Sequence, residues 1–181
     1  MDREWFDLSN ADNIYNNIVL KLIGNQNIAK CLKFSSPDAL TQTDLTQDEQ
    51  YALVKQTNID TCRIFNIPPT YYVTKEQRAE IRVYESAIVS SNPHIYEVCY
   101  CFDLVCHQEL WILEDGSRRV MQLANNIVKE LNGIDVGGMG KMRFFSERKP
   151  EIFRVQFYND VVAGYKLFGF LTTGGADVRE C

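Results

Sequence analysis

The feature that most constrains the fold of this chain is a long alternating stretch near its middle, residues 95–106. Six side chains in it share one parity, so a β-strand places all of them on one face: Tyr96, Val98, Tyr100, Phe102, Leu104 and Cys106. The opposite face is mixed and ends at His107. At about 3.3 Å per residue the stretch spans roughly 40 Å, which is long for a small domain. It therefore predicts the central strand of a sheet.

An amphipathic helix is predicted after this strand, over residues 118–131. Its apolar residues recur at helical spacing and form one stripe: Val120, Leu123, Ala124, Ile127, Val128 and Leu131. Ser117 is the expected N-cap, and Gly133 is the expected residue just beyond the C-terminus. We therefore expect this helix to cover one face of the sheet.

Other periodic segments predict the remaining elements. A helix is expected from about residue 11 to Ile23, then a break, then a short helix through Leu32. Residues 81–89 precede a Ser-Ser-Asn-Pro turn and are expected to form an antiparallel hairpin with the central strand. Further strands are expected at 61–65, 142–146, 152–157 and 163–172.

Together these elements predict an α+β fold. The order α-β-β-α-β-β is typical of a mainly antiparallel sheet with helices packed on one face. A chain of 181 residues with 45% hydrophobic residues is long and apolar enough to build one core. We therefore expect a single α+β domain over residues 1–181, with a frayed C-terminal tail at about 174–181.

Residues 34–60 differ in composition from the rest of the chain. They are rich in turn and capping residues and lack a strong apolar period. Thr46 and Glu49 fit a capping box, so a short helix over Gln47–Gln56 is expected within them. Because this composition offers little to bury, we expect an arm or loop insertion that gains order from a neighbouring subunit.

Charge and targeting signals narrow the function classes. The net charge is −5 and the pI is about 5.1, whereas a free-standing nucleic-acid binder is usually basic. No apolar run is long enough for a transmembrane helix, so no membrane partner is expected. The acidic N-terminus lacks the core of a signal peptide, which predicts a cytosol-like compartment.

The six cysteines are expected to be free and structural in such a compartment. A metal site is the alternative, since Cys99, Cys101 and His107 share a strand face. However, zinc ligands usually come as C-x₂₋₄-C pairs from two elements, and the sequence has no second cluster. The packing interpretation is therefore favoured, and no metal is expected.

Two motifs that could carry catalysis or cofactor binding fail in detail. The glycine-rich run before Lys141 resembles a phosphate loop, but Asp135 stands where the motif needs its first glycine and Met142 where it needs Ser or Thr. A Cys106–His107 nucleophile pair is disfavoured because adjacent strand residues point to opposite faces. We therefore expect no catalytic residues and no cofactor.

The chain resembles a group of tailed-bacteriophage neck and tail-completion proteins. The resemblance runs in order through most of the sequence, over the segments 22–28, 33–40, 99–113, 115–121, 131–134, 139–144 and 159–165. It implies a small, tail-terminator-like α+β fold that forms rings, often hexameric, at the head–tail junction or at the upper end of the tail. The group has no catalytic residues, so none is assigned here.

The resemblance implies a virion protein that is assembled in the host bacterial cytoplasm. Its expected partners are further copies of itself and neighbouring neck, connector and tail-tube proteins, while genomic DNA passes through the lumen without specific binding. The candidate subunit-contact residues lie in the arm, in peripheral aromatic segments and in the glycine loop: Asp38, Leu40, Asp44, Leu45, Tyr71, Tyr72, Trp111, Gly137, Gly138 and Met139. The alternatives are a small-molecule- or peptide-binding α+β module and an enzyme that uses Cys or His.

Overall fold

The fold is organised around two long antiparallel strands and the helices that cover one face of their sheet. The computed structural model describes residues 11–55, 57–68, 76–92, 95–136, 140–144, 154–157 and 160–173. Its helices are α1 (Ala11–Gly24), α2 (Gln26–Lys33), α3 (Gln47–Ala52) and α4 (Arg119–Leu131). Its strands are β1 (Ile64–Phe65), β2 (Ala79–Asn92), β3 (Ile95–His107), β4 (Met142–Arg143), β5 (Arg154–Phe157) and β6 (Val162–Thr173).

The predicted central strand is confirmed, because β3 lies inside the sheet between β2 and β6. The strand order is β1-β2-β3-β6-β4, and β5 pairs with another part of β6. All described pairings are antiparallel except β1 with β2, which is parallel. The predicted hairpin of β2 and β3 is also confirmed, with two register shifts on β2. The fold is therefore α+β with a mainly antiparallel sheet.

The alternation of β3 determines which face the helices cover. Val98, Tyr100, Phe102, Leu104 and Cys106 are buried in the same core as the stripe of α4. Helices α1 and α2 pack against each other and against α4, so that the three helices and the sheet share this core. The predicted helical layer is confirmed.

The ends of α1, α2 and α4 follow the sequence with one exception. The break between α1 and α2 occurs at Asn25, whose side chain caps α2 by accepting a hydrogen bond from the N–H of Ile28 at 3.1 Å. Gly133 lies beyond the end of α4 with φ of 77°, as expected. The N-cap of α4 is Arg118, so the prediction of Ser117 is wrong. The reason is that Ser117 belongs to the preceding turn, where its N–H donates to Asp115.

Close packing of β3 on β6 depends on one glycine. A Cβ atom built on Gly164 would lie 1.8 Å from the carbonyl oxygen of Leu104. No side chain can occupy that position unless the two strands separate. The glycine therefore fixes the distance between the two central strands at this point.

The arm is described except for residue 56 and packs within the single chain. Ala39, Leu45 and Leu53 are all buried, and the latter two belong to the main core. The capping box of Thr46 and Glu49 is present, and α3 is shorter than predicted. The expectation that the arm has little to bury by itself does not hold for these three residues. The tail at 174–181 lies outside the described residues.

Candidate functional site

A small cleft lies where the arm meets the turn before α4. We call it the acidic cleft, and its volume is about 240 Å³. The arm supplies one wall and the turn the other, and the lining residues are Pro37, Asp38, Leu40, Thr41, Leu113, Glu114 and Asp115. Three of the seven carry carboxylates, and none carries a basic group. The cleft thus combines apolar side chains with a concentration of negative charge.

The turn wall is held in shape by backbone hydrogen bonds. The N–H of Leu113 donates to the carbonyl oxygen of Ser117 at 2.9 Å, and Gly116 has φ of 78°. Across the cleft, the N–H of Glu114 donates to the carbonyl oxygen of Pro37 at 2.9 Å. This last bond joins the two walls directly.

Arg119 fixes the arm wall from inside the protein. Its side chain is fully buried, with 0% exposure, at the first position of α4. Its guanidinium group donates to the carbonyl oxygens of Leu110 and Cys31 at 2.9 Å, of Phe34 at 2.8 Å and of Ser36 at 2.6 Å. Four backbone dipoles thus solvate the buried charge, and the arm is tied to α2 and α4.

The rest of the arm is attached to α2 by polar pairs. Gln26 exchanges two hydrogen bonds with the backbone of Leu45, at 3.0 and 2.9 Å. Lys30 pairs with Asp44 at 2.6 Å, and Lys33 pairs with Glu49. These contacts hold the arm against α2 within the single chain.

One carboxylate of the cleft is held in its charged form by hydrogen bonds. Hydrogen bonds from the side chain and backbone N–H of Ser117 lower the pKa of Asp115. Asp38 accepts a 2.6 Å hydrogen bond from the side-chain amide of Gln42. Glu114 and Asp115 are exposed, whereas Asp38 is half-buried. The cleft therefore presents negative charge to solvent near neutral pH.

The structure brings some of the predicted contact residues together. Asp38 and Leu40 line the acidic cleft, and Trp111 lies two positions before Leu113 of its turn wall. The indole of Trp111 is half-buried and stacks on Tyr165 with the ring centroids 6.2 Å apart. Trp111 therefore packs mainly within its own subunit.

Two other predicted contact residues, Asp44 and Leu45, do not line the acidic cleft. Asp44 is exposed but paired with Lys30, as described above. Leu45 is only 5% exposed and packs in the core of its own chain, and its role as a contact residue stays a prediction. The sequence around Leu45 has no strong apolar period, so it gave no indication that this side chain is buried. Five predicted residues lie outside the described part: Tyr71, Tyr72, Gly137, Gly138 and Met139.

A polar network that sequence reasoning missed lies on the sheet face opposite the helices. Asp103 is 0% exposed and pairs with Lys166 at 2.6 Å. Its second carboxylate oxygen accepts a 2.8 Å hydrogen bond from the hydroxyl of Tyr84. Lys166 also donates to Tyr84 at 2.8 Å and to Cys101 Sγ at 3.4 Å. The partner of Asp103 can be identified only from the strand register, which places Lys166 opposite it.

A second set of charges lies on the same face. Glu80 is buried and pairs with Arg78 at 2.5 Å and with Arg82 at 2.8 Å. The guanidinium carbon of Arg82 lies 4.7 Å from the ring centroid of Phe65, and Arg82 Nε has no hydrogen-bond partner. Arg78 also pairs with Glu76 at 2.9 Å, so two carboxylates face two guanidinium groups, which is typical of a structural network.

The buried thiols are poorly suited to nucleophilic chemistry. Burial raises the pKa of Cys31 and of Cys101 to about 11, and that of Cys106 to about 12. A thiol with so high a pKa stays protonated near neutral pH. Cys106 packs in the helix-covered core, whereas Nδ1 of His107 accepts from the N–H of Glu109 at 3.3 Å. These two side chains therefore form no nucleophile pair.

The metal-site alternative is disfavoured by the surroundings of Cys101. Its sulfur lies against the Lys166 ammonium group, a cation that would repel a metal ion. Within the described ranges, no group of three or more His, Cys, Asp or Glu side chains is arranged to hold a metal. In the same part of the chain, no helix has the length and apolar character needed to cross a bilayer.

Comparison with known proteins shows that the chain matches a family model. The model is that of the YomW family, and it matches residues 25–168, which include the acidic cleft, β3 and α4. No curated protein and no solved structure matches the chain. Since the family model covers well over half of the sequence, the chain belongs to the YomW family of phage-associated proteins.

Proposed function

We propose that this protein is a non-enzymatic structural component of a bacteriophage particle. It forms a ring at the head–tail junction or at the upper end of the tail, and DNA passes through the ring. The observation that carries the proposal is the surface made by the arm and the turn before α4 in a phage-associated protein. The resemblance to neck and tail-completion proteins supports the same role.

The rigidity of this surface suits a contact between subunits or between rings. Arg119 and the bond from Glu114 to Pro37 hold both walls of the acidic cleft. A surface that is already ordered loses little conformational entropy on binding, so more of the contact energy appears as affinity. A ring built from such subunits can assemble without a large ordering cost.

The electrostatics are compatible with the passage of DNA. The chain carries a net charge of −5, and the acidic cleft adds a local concentration of carboxylates. Phosphate neutralisation by basic side chains supplies most non-specific DNA affinity, and an acidic subunit provides little of it. Such a ring lets DNA slide through the lumen without specific binding.

Two observations weigh against the competing functions. The volume of the acidic cleft is about 240 Å³, below the roughly 300–1,000 Å³ of typical small-molecule sites, so a protein side chain suits it better. The raised pKa values of the described thiols disfavour a cysteine nucleophile. A virion assembly role is the function that these features support best.

The deciding experiment examines particles of a phage that encodes this protein. Particles are purified by gradient centrifugation, the protein is quantified by mass spectrometry, and its position is found by immunogold labelling. We expect a small fixed copy number at the neck or upper tail, beside neck, connector and tail-tube proteins. A nonsense mutant should yield unjoined heads and tails. If the protein is missing from infectious particles, the proposal is wrong.

A further inference from the structure

A thiol and an amine meet in the polar network on the sheet face opposite the helices. Nζ of Lys166 on β6 lies 3.4 Å from Sγ of Cys101 on β3. The strand register brings them together, because Lys166 lies opposite Asp103 and Cys101 precedes Asp103 by two residues on the same face. A separation of about 3–3.5 Å is that of two atoms placed to react with each other.

The other side chains of the network hold the amine in this position. Oδ1 of Asp103 lies 2.6 Å from Nζ of Lys166 and 3.8 Å from Sγ of Cys101. The hydroxyl of Tyr84 donates to Oδ2 of Asp103 at 2.8 Å and accepts from Lys166 at 2.8 Å. The Asp103 carboxylate is therefore a base that can take a proton from the ammonium group as well as its counter-charge.

Two other described thiols have different neighbours. Sγ of Cys62 donates to the carbonyl oxygen of Ile64 at 3.3 Å, and Sγ of Cys106 donates to that of His107 at 3.4 Å. A carbonyl oxygen cannot condense with an oxidised sulfur atom, whereas a nitrogen can. Cys106 is 0% exposed and Cys101 is 1% exposed, so Cys106 is a control thiol of equal burial.

We propose that Cys101 and Lys166 form a site of oxidative modification, at which hydrogen peroxide produces a sulfenamide cross-link between β3 and β6. In the first step Sγ of Cys101 attacks the peroxide, the O–O bond breaks, and the thiol becomes a sulfenic acid with release of one water. The sulfur is oxidised and the peroxide is reduced.

In the second step Lys166 gives one proton to Asp103, and its free amine attacks Sγ of Cys101. The S–N bond forms and the S–O bond breaks, and the leaving hydroxide takes a second proton from nitrogen to become water. One thiol, one ammonium group and one peroxide thus give one S–N bond, two waters and one proton, which Asp103 holds.

Burial determines how this site responds to oxidant. Because Cys101 is buried, the first step is slow and bulky reagents are excluded. The side chain of Lys166 is 17% exposed and Tyr84 is half-buried, so a small peroxide has its shortest described route along these two residues. Once the sulfenic acid has formed, the adjacent amine captures it, and an added thiol reverses the cross-link. This inference goes beyond the proposed function and does not rest on it.

Mass spectrometry of the purified full-length protein tests the cross-link. The reduced protein is incubated with about 1 mM hydrogen peroxide and compared with an untreated sample under non-reducing conditions. We expect a loss of about 2 Da, the mass of two hydrogens, which dithiothreitol reverses. After trypsin digestion, residues 83–118 should be joined to residues 155–179, because the modified Lys166 is no longer cleaved. Fragment spectra should place the link at Cys101 and Lys166.

Variants identify the reacting atoms. Lys166→Arg keeps a cation beside Asp103 but removes the amine, so the linked peptide should disappear and Cys101 should gain about 16 or 32 Da instead. Cys106→Ser should leave the linked peptide unchanged. Cys99→Ser should do the same, which separates the cross-link from a Cys99–Cys101 disulfide of equal mass.

Three results would overturn the inference. They are an unchanged mass of the peroxide-treated protein, oxygen addition to Cys101 without a linked peptide, and a 2 Da loss that requires Cys99. The digest of the wild-type protein decides even if a variant fails to fold. The presence or absence of the protein in phage particles has no bearing on the cross-link, so the two proposals can fail separately.

Discussion

Nη2 of Arg119 donates a 2.6 Å hydrogen bond to the backbone carbonyl oxygen of Ser36, 83 positions earlier in the chain. The same guanidinium group also binds the carbonyl oxygens of Cys31 and Phe34. One buried side chain thus joins the end of α2, the start of the arm and the first turn of α4. The shape of the acidic cleft depends on this residue, although it does not line the cleft.

We predict that Arg119→Met destabilises the protein by about 3–5 kcal/mol, because four buried carbonyl oxygens lose their donor. Arg119→Lys should also destabilise, since an ammonium group cannot reach all four carbonyl oxygens. Urea denaturation measures the free energy of unfolding. The control is Arg118→Lys, which alters an exposed side chain and should cost below about 1 kcal/mol. Equal stability of the Arg119 and Arg118 variants would contradict the assignment.

The buried pair of Asp103 and Lys166 should be sensitive to the loss of one partner. We expect Asp103→Ala to cost about 3–5 kcal/mol, because Lys166 then has no counter-charge in a largely buried site. Tyr84→Phe removes one hydrogen bond to Asp103 and should cost about 1 kcal/mol. A double-mutant cycle by thermal and urea unfolding gives the coupling of Asp103 with Lys166. A coupling energy near zero would show that the pair is unimportant for stability.

Two glycine substitutions should have opposite effects. Gly164→Ala places a methyl group 1.8 Å from the carbonyl oxygen of Leu104, so we expect loss of soluble folded protein or a very low melting temperature. Gly24→Ala meets nothing within 4 Å and has a helical neighbourhood, so it should stabilise by about 0.4–1 kcal/mol. Circular dichroism melts of both variants test this. A stable Gly164→Ala protein would contradict the close approach of β3 and β6.

The attachment of α3 should weaken in acid. Hydrogen bonds from Lys33 and from Thr46 lower the pKa of Glu49 to about 2 from its ordinary value of 4.5. Because the pKa of Glu49 is lowered in the folded protein, its hydrogen bonds stabilise the attachment of α3 fully above pH 4.5. This stabilisation is lost as the pH falls from about 4.5 towards 2. The protection factors of residues 46–54, corrected for the intrinsic pH dependence of amide exchange, should therefore fall over that range. In Glu49→Gln this pH dependence should disappear, and its persistence would implicate another group.

The described thiols should react slowly in the native state. Because their pKa values are raised by burial, Cys31, Cys101 and Cys106 carry little thiolate at pH 8. Iodoacetamide labelling followed by peptide mass spectrometry should show modification of these residues only after unfolding in urea. Rapid native labelling of any of the three would show that its site opens.

The local patterns of the sequence predicted most of the framework. The period of two in β3 and the apolar stripe of α4 each report burial directly, because every second or every third to fourth residue faces the core. The break at Asn25 and the capping box at Thr46 could also be predicted, because their hydrogen-bond partners lie within three residues in the sequence. Interactions between residues that lie within one helical turn of each other can be recognised from a single sequence.

The position of the arm could not be predicted in this way. It depends on Arg119, Gln26 and Lys30, which are far from their arm partners in the chain. A deletion of residues 40–49 that seems harmless from composition would remove Leu45 from the core. The partnership of Asp103 with Lys166 was hidden for the same reason, since it follows from the register of β3 and β6.

The position of β6 has a consequence for synthesis on the ribosome. Strand β6 lies within the sheet, with β3 on one side and β4 and β5 on the other. Each of these three strands therefore lacks its pairing with β6 until β6 leaves the ribosome. Helices α1 and α2 likewise cannot complete their packing until α4 has been synthesised. The sheet therefore cannot be completed until β6 has left the ribosome, and until then the edge of β3 is open to chaperones or to other nascent copies.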